Sequence, residues 1–279
     1  MGLVKMSALF ERAEKLGVGC GSFSVYSMEA AMGAVKAAEE LNTPVILQLA
    51  EARFKTAPLE LMGPLMMSAA HNAKVDIAVH LDHGNSLEAI EQALKMGFTS
   101  VMYDGSSKSF EENIKNTLIV KQMAKAYGAD VEAELGLVGR SEGGDQDYGI
   151  LCTDPDNAAE FARRTNVEAL AIAIGNQHGN YPAAPRLRFD ILRDIHTKVP
   201  DLPLVLHGGS GISDEDFKRC IREGICKINI ATAIVNEMVK EAGSYLKEEE
   251  FPDYYGLNRQ MAEGACRTVR HHIEVFNMK

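Results

Sequence analysis

Hydrophobic and polar positions along this chain fall into two textures that take turns. Short apolar runs rich in β-branched residues occur at 18–24, 44–49, 76–80, 100–103, 130–135, 169–174, 203–206 and 225–230, and a stretch with the apolar spacing of an amphipathic helix follows each of them. This alternation predicts repeated βα units around a parallel sheet. Eight units without a break favour a closed (β/α)8 TIM barrel in the α/β class over the runner-up, an open doubly wound sheet.

Several helix starts are legible. Ser27-Met-Glu-Ala opens the first helix, Asp154-Pro155 gives the fifth an N-cap and a first-turn proline, and Ser213-Asp-Glu-Asp opens the seventh. These signals are structural only. Two features fall outside the repeat. The connection 136–153 is long, glycine-rich and charged, which predicts a mobile active-site loop. A helical pattern at about 256–276 predicts an additional C-terminal helix, packed on the barrel or on a second subunit.

Composition bounds the rest. A chain of 279 residues, 46% of them hydrophobic, suits one barrel domain over 1–279, with no linker or low-complexity tract dividing it. The formal charge of −10 argues against nucleic acid as a partner, because phosphate backbones are gripped by dense Lys/Arg surfaces. No segment approaches a membrane span, and the first residues lack the apolar core of a signal peptide, so the expected location is cytoplasmic. The five cysteines are scattered and never spaced C-x-x-C, which argues against a disulfide framework or a thiolate zinc site. Metal ligands would have to come from His, Asp and Glu.

Barrels carry their chemistry at the carboxyl ends of the strands. There the third strand offers His80-Leu-Asp82-His83, the sixth Asn-Gln-His178-Gly179 and the seventh His207-Gly208-Gly209-Ser210. One histidine in such a place is more often structural than not. Three from separate strands reverse that, because a catalytic zinc commonly takes three protein ligands and keeps a position open. The expected ligands are His83, His178 and His207, holding one zinc ion per subunit. His80 still lies within its strand and points into the barrel or stands behind a ligand, orienting it by a hydrogen bond. Asp82 is the expected proton carrier for a substrate hydroxyl, with a helix cap as the plain alternative. Glu134 shares a strand face with Glu132 and is a spare ligand, an acceptor behind one, or an ion-pair partner. Asp104 has a similar claim, or is merely a turn residue.

The segment 208–214 leads from the seventh strand into a helix, and the eighth strand ends Lys227-Ile-Asn229-Ile-Ala231-Thr232. Phosphate sites in barrels are often built from these last two loops and a helix N-terminus. The candidate donors are Gly209, Ser210, Asn229 and Thr232, with Gly179, Gly208 and Ala231 lining the same place. A glycine-rich loop by itself is more often a turn.

Taken in order, His80-Leu-Asp-His83, Val131-Glu-Ala-Glu-Leu-Gly136, Ala173-Ile-Gly-Asn-Gln-His178-Gly179, Leu206-His-Gly-Gly-Ser-Gly211 and Lys227-Ile-Asn-Ile-Ala-Thr232 resemble the class II, zinc-dependent fructose-bisphosphate and tagatose-bisphosphate aldolases, over nearly the whole chain. The resemblance implies that His83, His178 and His207 hold zinc, that Asp82 is the acid/base at the bond cleaved, and that the last two loops hold the phosphate of dihydroxyacetone phosphate. Zinc would act as a Lewis acid, so no Schiff-base lysine is needed. The resemblance also implies a glutamate on the loop after the fifth strand for the proton exchanged at carbon, here Glu142, and a homodimer or homotetramer. A monovalent cation is a further candidate cofactor.

Departures from the family pattern bear on the substrate. Pro182 stands where the bisphosphate enzymes often have a lysine, Ser24 where they have Asn, and Ala50 where they have Ser. Aligned by eye, Glu263 falls where many members carry a basic residue for the distal phosphate, with Arg259 and Arg267 as substitutes nearby. The expected substrate is therefore a ketose 1-phosphate whose aldehyde half is not a phosphorylated triose. Two other readings compete: a metal-independent isomerase or epimerase working through Asp82 and Glu134, and a non-catalytic, zinc-containing sugar-phosphate binding protein.

Overall fold

The computed structural model describes residues 2–140, 151–179 and 185–279, with the side chains at 139 and 140 left aside. Eight strands form the barrel: β1 (Cys20–Ser24), β2 (Val45–Ala50), β3 (Asp76–Gly84), β4 (Ser100–Tyr103), β5 (Asp130–Leu135), β6 (Ala169–Ile172), β7 (Leu204–Leu206) and β8 (Ile225–Ile230). Each pairs in parallel with the next, and β8 pairs with β1, Asn229 opposite Ser22, which closes the sheet. The runner-up open sheet is thereby excluded.

A helix α1 (Met6–Leu16) precedes β1; after it come α2 (Met28–Glu40), α3 (Leu59–Asn72), α4 (Leu87–Lys95), α5 (Phe110–Tyr127), α6 (Pro155–Thr165), α7 (Phe189–Lys198), α8 (Asp214–Arg222), α9 (Thr232–Glu248) and α10 (Tyr254–Phe276). The cap signals are realised: Ser27 accepts from the Ala30 N–H, Asp154 from Asp156 and Asn157 with Pro155 in the first turn, and Ser213 from Asp216. Each satisfies donors that a helix leaves orphaned.

Strand alternation sorts the core into two parts. Outward residues such as Phe23, Leu47, Leu81, Val101 and Ile230 pack beneath the helices. Inward residues at the amino end, Cys20, Ile46, Ala78, Ala169, Ala171 and Val205, form a separate apolar cluster with Met6, Leu9, Phe10 and Ala13 of α1. The helix α1 is thus a floor to the lumen. Burying a side chain such as Phe10 contributes roughly 1.5–3 kcal/mol, and the small Ala residues opposite make room for it.

The C-terminal helix α10 packs on α2 and α9 of its own chain. Its close approach depends on Gly33, where a Cβ would lie 2.5 Å from the Ala262 carbonyl oxygen.

Candidate active site

Above the apolar floor, the inward positions turn polar. Ser22, Ser24, Gln48, His80, Asp82, Ser100, Glu132, Glu134, His207, Lys227 and Asn229 are all buried. So much buried polarity in a lumen is costly unless it is paired, and most of it is. Lys227 Nζ donates to Glu132 Oε2 at 2.8 Å, and Glu132 Oε1 lies 2.8 Å from His207 Nε2. His80 Nδ1 is 2.9 Å from Ser100 Oγ, while its Nε2 faces Glu132 at 3.7 Å. His80 therefore sits one step below the rim, behind Glu132 and out of direct contact with the other histidines in its hydrogen bonding.

The third strand runs four residues further than its apolar pattern suggests, to Gly84. Strict alternation would carry His83 outward. Instead the register with β4 shifts between Leu81 and Gly84, and His83 takes φ +46°. That left-handed backbone is uncommon for a residue other than glycine. It brings His83 to the lumen beside Asp82.

The three histidines predicted as ligands meet. The ring centroids of His83 and His178 lie 4.8 Å apart, those of His83 and His207 4.6 Å, and those of His178 and His207 5.9 Å. Each ring offers a nitrogen within 4.8 Å of the other two. His178 reaches the group from Gln177–His178, a short strand paired in parallel with Gly139–Arg140. A second grouping, His83 with Asp104 and Glu134, also satisfies the spacing of a metal site.

Carboxylates stand behind the rings. Asp104 Oδ2 is 2.9 Å from His83 Nδ1, and the same aspartate accepts from the Ser106 N–H and hydroxyl. Glu134 Oε2 is 3.1 Å from His207 Nδ1, yet off the hydrogen-bond line, so it acts on the ring by charge and both atoms remain unpartnered. Burial opposes a charged His207, but Glu132 and Glu134 outweigh it and push the ring up to about 10. His83 is raised in the same way: burial pulls it down, and Asp82 and Asp104 more than offset that. Burial and then the Lys227 charge press His80 down to about 3. Glu134 is raised, by burial first and by Asp104 next. Glu132 falls below the usual carboxylate range, because Lys227 and His207 outweigh its burial. The lumen is built to receive positive charge at the point where the histidines converge.

Asp82 is held from two sides. Gln48 Nε2 donates to its Oδ2 at 3.1 Å, and Asn229 Nδ2 to its Oδ1 at 3.1 Å. Gln48 is itself fixed by Ser22 and by Ser24 Oγ at 3.0 Å.

The cavity at this rim, about 280 Å³, is lined by Asp82, His83 and His178 together with Gly179, Gly208, Gly209, Ser210, Asn229, Ala231 and Thr232, so the two last loops do join the histidines. Several of them are also bonded within the fold. Asn229 gives its amide to Asp82, and the Gly209 N–H is taken by the Asn229 carbonyl at 3.1 Å. The single Gly209 N–H is thereby engaged within the fold, while the Asn229 amide keeps a second hydrogen. Ser210 Oγ accepts from the Ala233 N–H at 3.0 Å, tying the β7 loop to the first turn of α9. That helix begins at Thr232 with no acidic residue in its first turn, whereas α8 carries Asp214, Glu215 and Asp216 there. Gly208 has φ +64°, and a Cβ on it would meet the Gln177 carbonyl oxygen at 2.1 Å.

Other expectations fall elsewhere. Glu142 and Pro182 lie outside the described residues. Glu263 is not at the rim: it pairs with Lys36 in a groove of about 1040 Å³ between α2 and α10, which Arg259 also lines. Arg267 pairs with Glu237 and Glu241. Glu263 therefore does not line the rim cavity of its own chain, where the alignment set it against a distal phosphate. Conversely, Gln48, Ser22, Lys227, Tyr26 and Arg53 were not singled out from sequence. Gln48 and Lys227 break apolar strand runs at inward positions, a signal that strand alternation carries.

A parallel barrel whose rim gathers three histidines and a flanking aspartate is an enzyme-like site with a set of side chains that could hold a metal ion. The comparisons with known proteins agree: the family model "Fructose-bisphosphate aldolase class-II" matches residues 4–279, and the chain belongs to that family. It is similar to YdjI of Escherichia coli (strain K12), 39% identical over 91% of this chain and 90% of that one, and to the sulfofructosephosphate aldolase of Alkalicoccus urumqiensis, 35% identical over 99% and 97%. The crystal structure of the YdjI aldolase superposes with a TM-score of 0.88, at 34% identity, covering 98% of this chain and 97% of that one. The protein is thus an aldolase, a carbon–carbon lyase.

Proposed function

We propose that this aldolase reversibly cleaves a ketose 1-phosphate to dihydroxyacetone phosphate and an aldehyde, with one zinc ion per subunit held by His83, His178 and His207. The observation that carries this reading is a pair of buried, unpartnered nitrogens, His83 Nε2 and His207 Nδ1, in rings that converge with His178. Orphaned buried nitrogens are costly, and a cation with nitrogen ligands would satisfy them. Zinc held there supplies a Lewis acid for a ketone and its neighbouring hydroxyl.

This chain's own groups supply the rest. Asp82, steadied by Gln48 and Asn229, takes the proton from the hydroxyl on the aldehyde side of the bond that breaks. The aldehyde carbonyl forms as that bond's electron pair passes to the carbon of the dihydroxyacetone phosphate half, and Glu142 delivers a proton to that carbon. Asp104 and Glu132 orient His83 and His207 through their ring nitrogens. The sugar phosphate's anion meets the α9 N-terminus at Ala231 and Thr232, with Gly208 and Ser210 closing the other side.

The departures at Ser24, Ala50 and Pro182 support an aldehyde half that is not a phosphorylated triose; Glu263 no longer contributes to that argument. A homodimer or homotetramer in the cytoplasm, without nucleic-acid partners, completes the proposal. No described helix is long and apolar enough to cross a membrane.

The test is metal analysis with a panel of ketose phosphates before and after EDTA. Zinc near one equivalent, turnover lost on chelation and restored by zinc, and dihydroxyacetone phosphate as a trapped product are expected. Full turnover by metal-free enzyme would sink the reading.

A further inference from the structure

The rim cavity has a charged wall set apart from the phosphate end. Its lining residues come from the ends of β6, β7, β8, β1, β2 and β3, six consecutive strands of the ring. The phosphate end lies at the β7 and β8 loops. Two strands further round, β2 ends in the turn Glu51–Arg53, and Arg53 lines the cavity there beside Ala52, with Asn85 of the β3 loop next to it. Among the described lining residues Arg53 is the one Lys or Arg.

The turn is not a loose surface feature. Glu51 Oε2 accepts from the Asn85 N–H at 2.6 Å and the Ser86 N–H at 3.1 Å, and Glu51 Oε1 accepts from the Ser86 hydroxyl at 2.7 Å. These bonds clamp the Arg53 turn to the segment that carries Asp82 and His83. The Arg53 guanidinium carbon also lies 5.9 Å from the centre of the Tyr26 ring, at the end of β1. The turn therefore brings a cation to the cavity wall, with its guanidinium over an aromatic face.

A substrate anchored by its 1-phosphate at β7 and β8 passes Asp82 and His83 at the bond cleaved. Its remaining carbons then run toward the β2 and β3 loops. We infer that Arg53 is a specificity-determining residue that binds a singly charged oxyanion, a carboxylate or a sulfonate, at the far end of the aldehyde half. A planar guanidinium fork matches such a group in two parallel hydrogen bonds. One guanidinium, the single Lys or Arg among the described lining residues, suits one negative charge better than the two of a phosphate. This inference rests on the ketose 1-phosphate reading above.

The experiment measures kcat and KM of the zinc-loaded enzyme on fructose 1-phosphate, its 6-carboxylate and 6-sulfonate analogues, and fructose 1,6-bisphosphate, for the wild type, Arg53→Met and Arg53→Lys. The wild type should favour the carboxylate or the sulfonate over the neutral sugar by about tenfold or more in kcat/KM, the range a charged hydrogen bond supplies. Arg53→Met should lower that ratio roughly 10- to 100-fold, chiefly through KM, and Arg53→Lys should fall between. The two analogues separate carboxylate from sulfonate as the natural end group. Preference for the neutral sugar or the bisphosphate in the wild type overturns the inference, whatever the variants do. So does a charged-to-neutral ratio that Arg53→Met leaves in place. Failure to cleave all four compounds would instead strike the reading beneath it.

Discussion

Lys227 Nζ and Glu132 Oε2 stand 2.8 Å apart in the barrel lumen, both wholly shielded from solvent. A buried pair of this kind gains little overall, because two desolvation costs offset the attraction, but removing one partner strands the other. Lys227→Met should destabilise the protein by roughly 3–5 kcal/mol, and Lys227→Met with Glu132→Gln should recover part of that. Chemical denaturation of the three proteins measures it. A single variant as stable as the wild type would show that Glu132 is neutral in the fold.

Asp82 is fixed by two amide donors, Gln48 and Asn229, and so arrives at the histidines with its carboxylate already oriented. Asp82→Asn keeps the size but loses the proton exchange, and should lower kcat by about 10²- to 10⁴-fold while zinc content stays near the wild-type value. Steady-state rates with metal analysis decide it. Loss of zinc alongside activity would reassign Asp82 to the metal.

Gly208 follows the His207 ligand candidate in a left-handed conformation, with the Gln177 carbonyl oxygen occupying the space a Cβ would need. Gly208→Ala therefore combines backbone strain with a clash against the His178 segment. A loss of about 1–3 kcal/mol in stability, with kcat/KM falling in step, is expected from thermal unfolding and rate measurements. An unaffected variant would mean that the β6 and β7 loops part more readily than this contact implies.

His272 on α10 is packed among Phe217, Phe276 and His271, and its Nδ1 donates to the Thr268 carbonyl at 2.7 Å. Burial, the largest influence, presses its pKa down to about 4. The folded value lies below the unfolded one near 6.5, so the unfolded chain binds the extra proton as the medium becomes acid. His272 is thus fully compatible with the fold above about pH 6.5, and stability drains away between there and about pH 4, by at most about 1.4 kcal/mol per pH unit for one proton. Unfolding midpoints from pH 7 to 4.5 should fall less steeply in His272→Phe than in the wild type. Parallel slopes would place the acid sensitivity elsewhere.

The barrel was legible because closed parallel sheets announce themselves by apolar runs at regular intervals, and the histidines were legible because each stands next to glycine at a run's end. What escaped the reading escaped for local reasons. Alternation has period two, and the left-handed His83 breaks it, so the apolar pattern ends at His80 while β3 itself continues to Gly84. Donors such as Asn229 and Gly209 look alike in a sequence whether free or engaged, and here Asp82 and the Asn229 carbonyl engage them. Aligning α10 by eye sets Glu263 near the substrate, but that helix packs on α2, where Gly33 admits its backbone at Ala262, far away in the chain. Arg53 gave no signal at all, because a lone arginine in a turn usually means only solvent.

The helix α1 stoppers the amino end of the lumen with Met6, Leu9 and Phe10. The barrel is therefore a cup and not a tube, and every molecule that comes or goes uses one doorway. Whatever enters and whatever leaves must therefore pass the same rim, between the loops that carry Arg53 and those that carry Ser210.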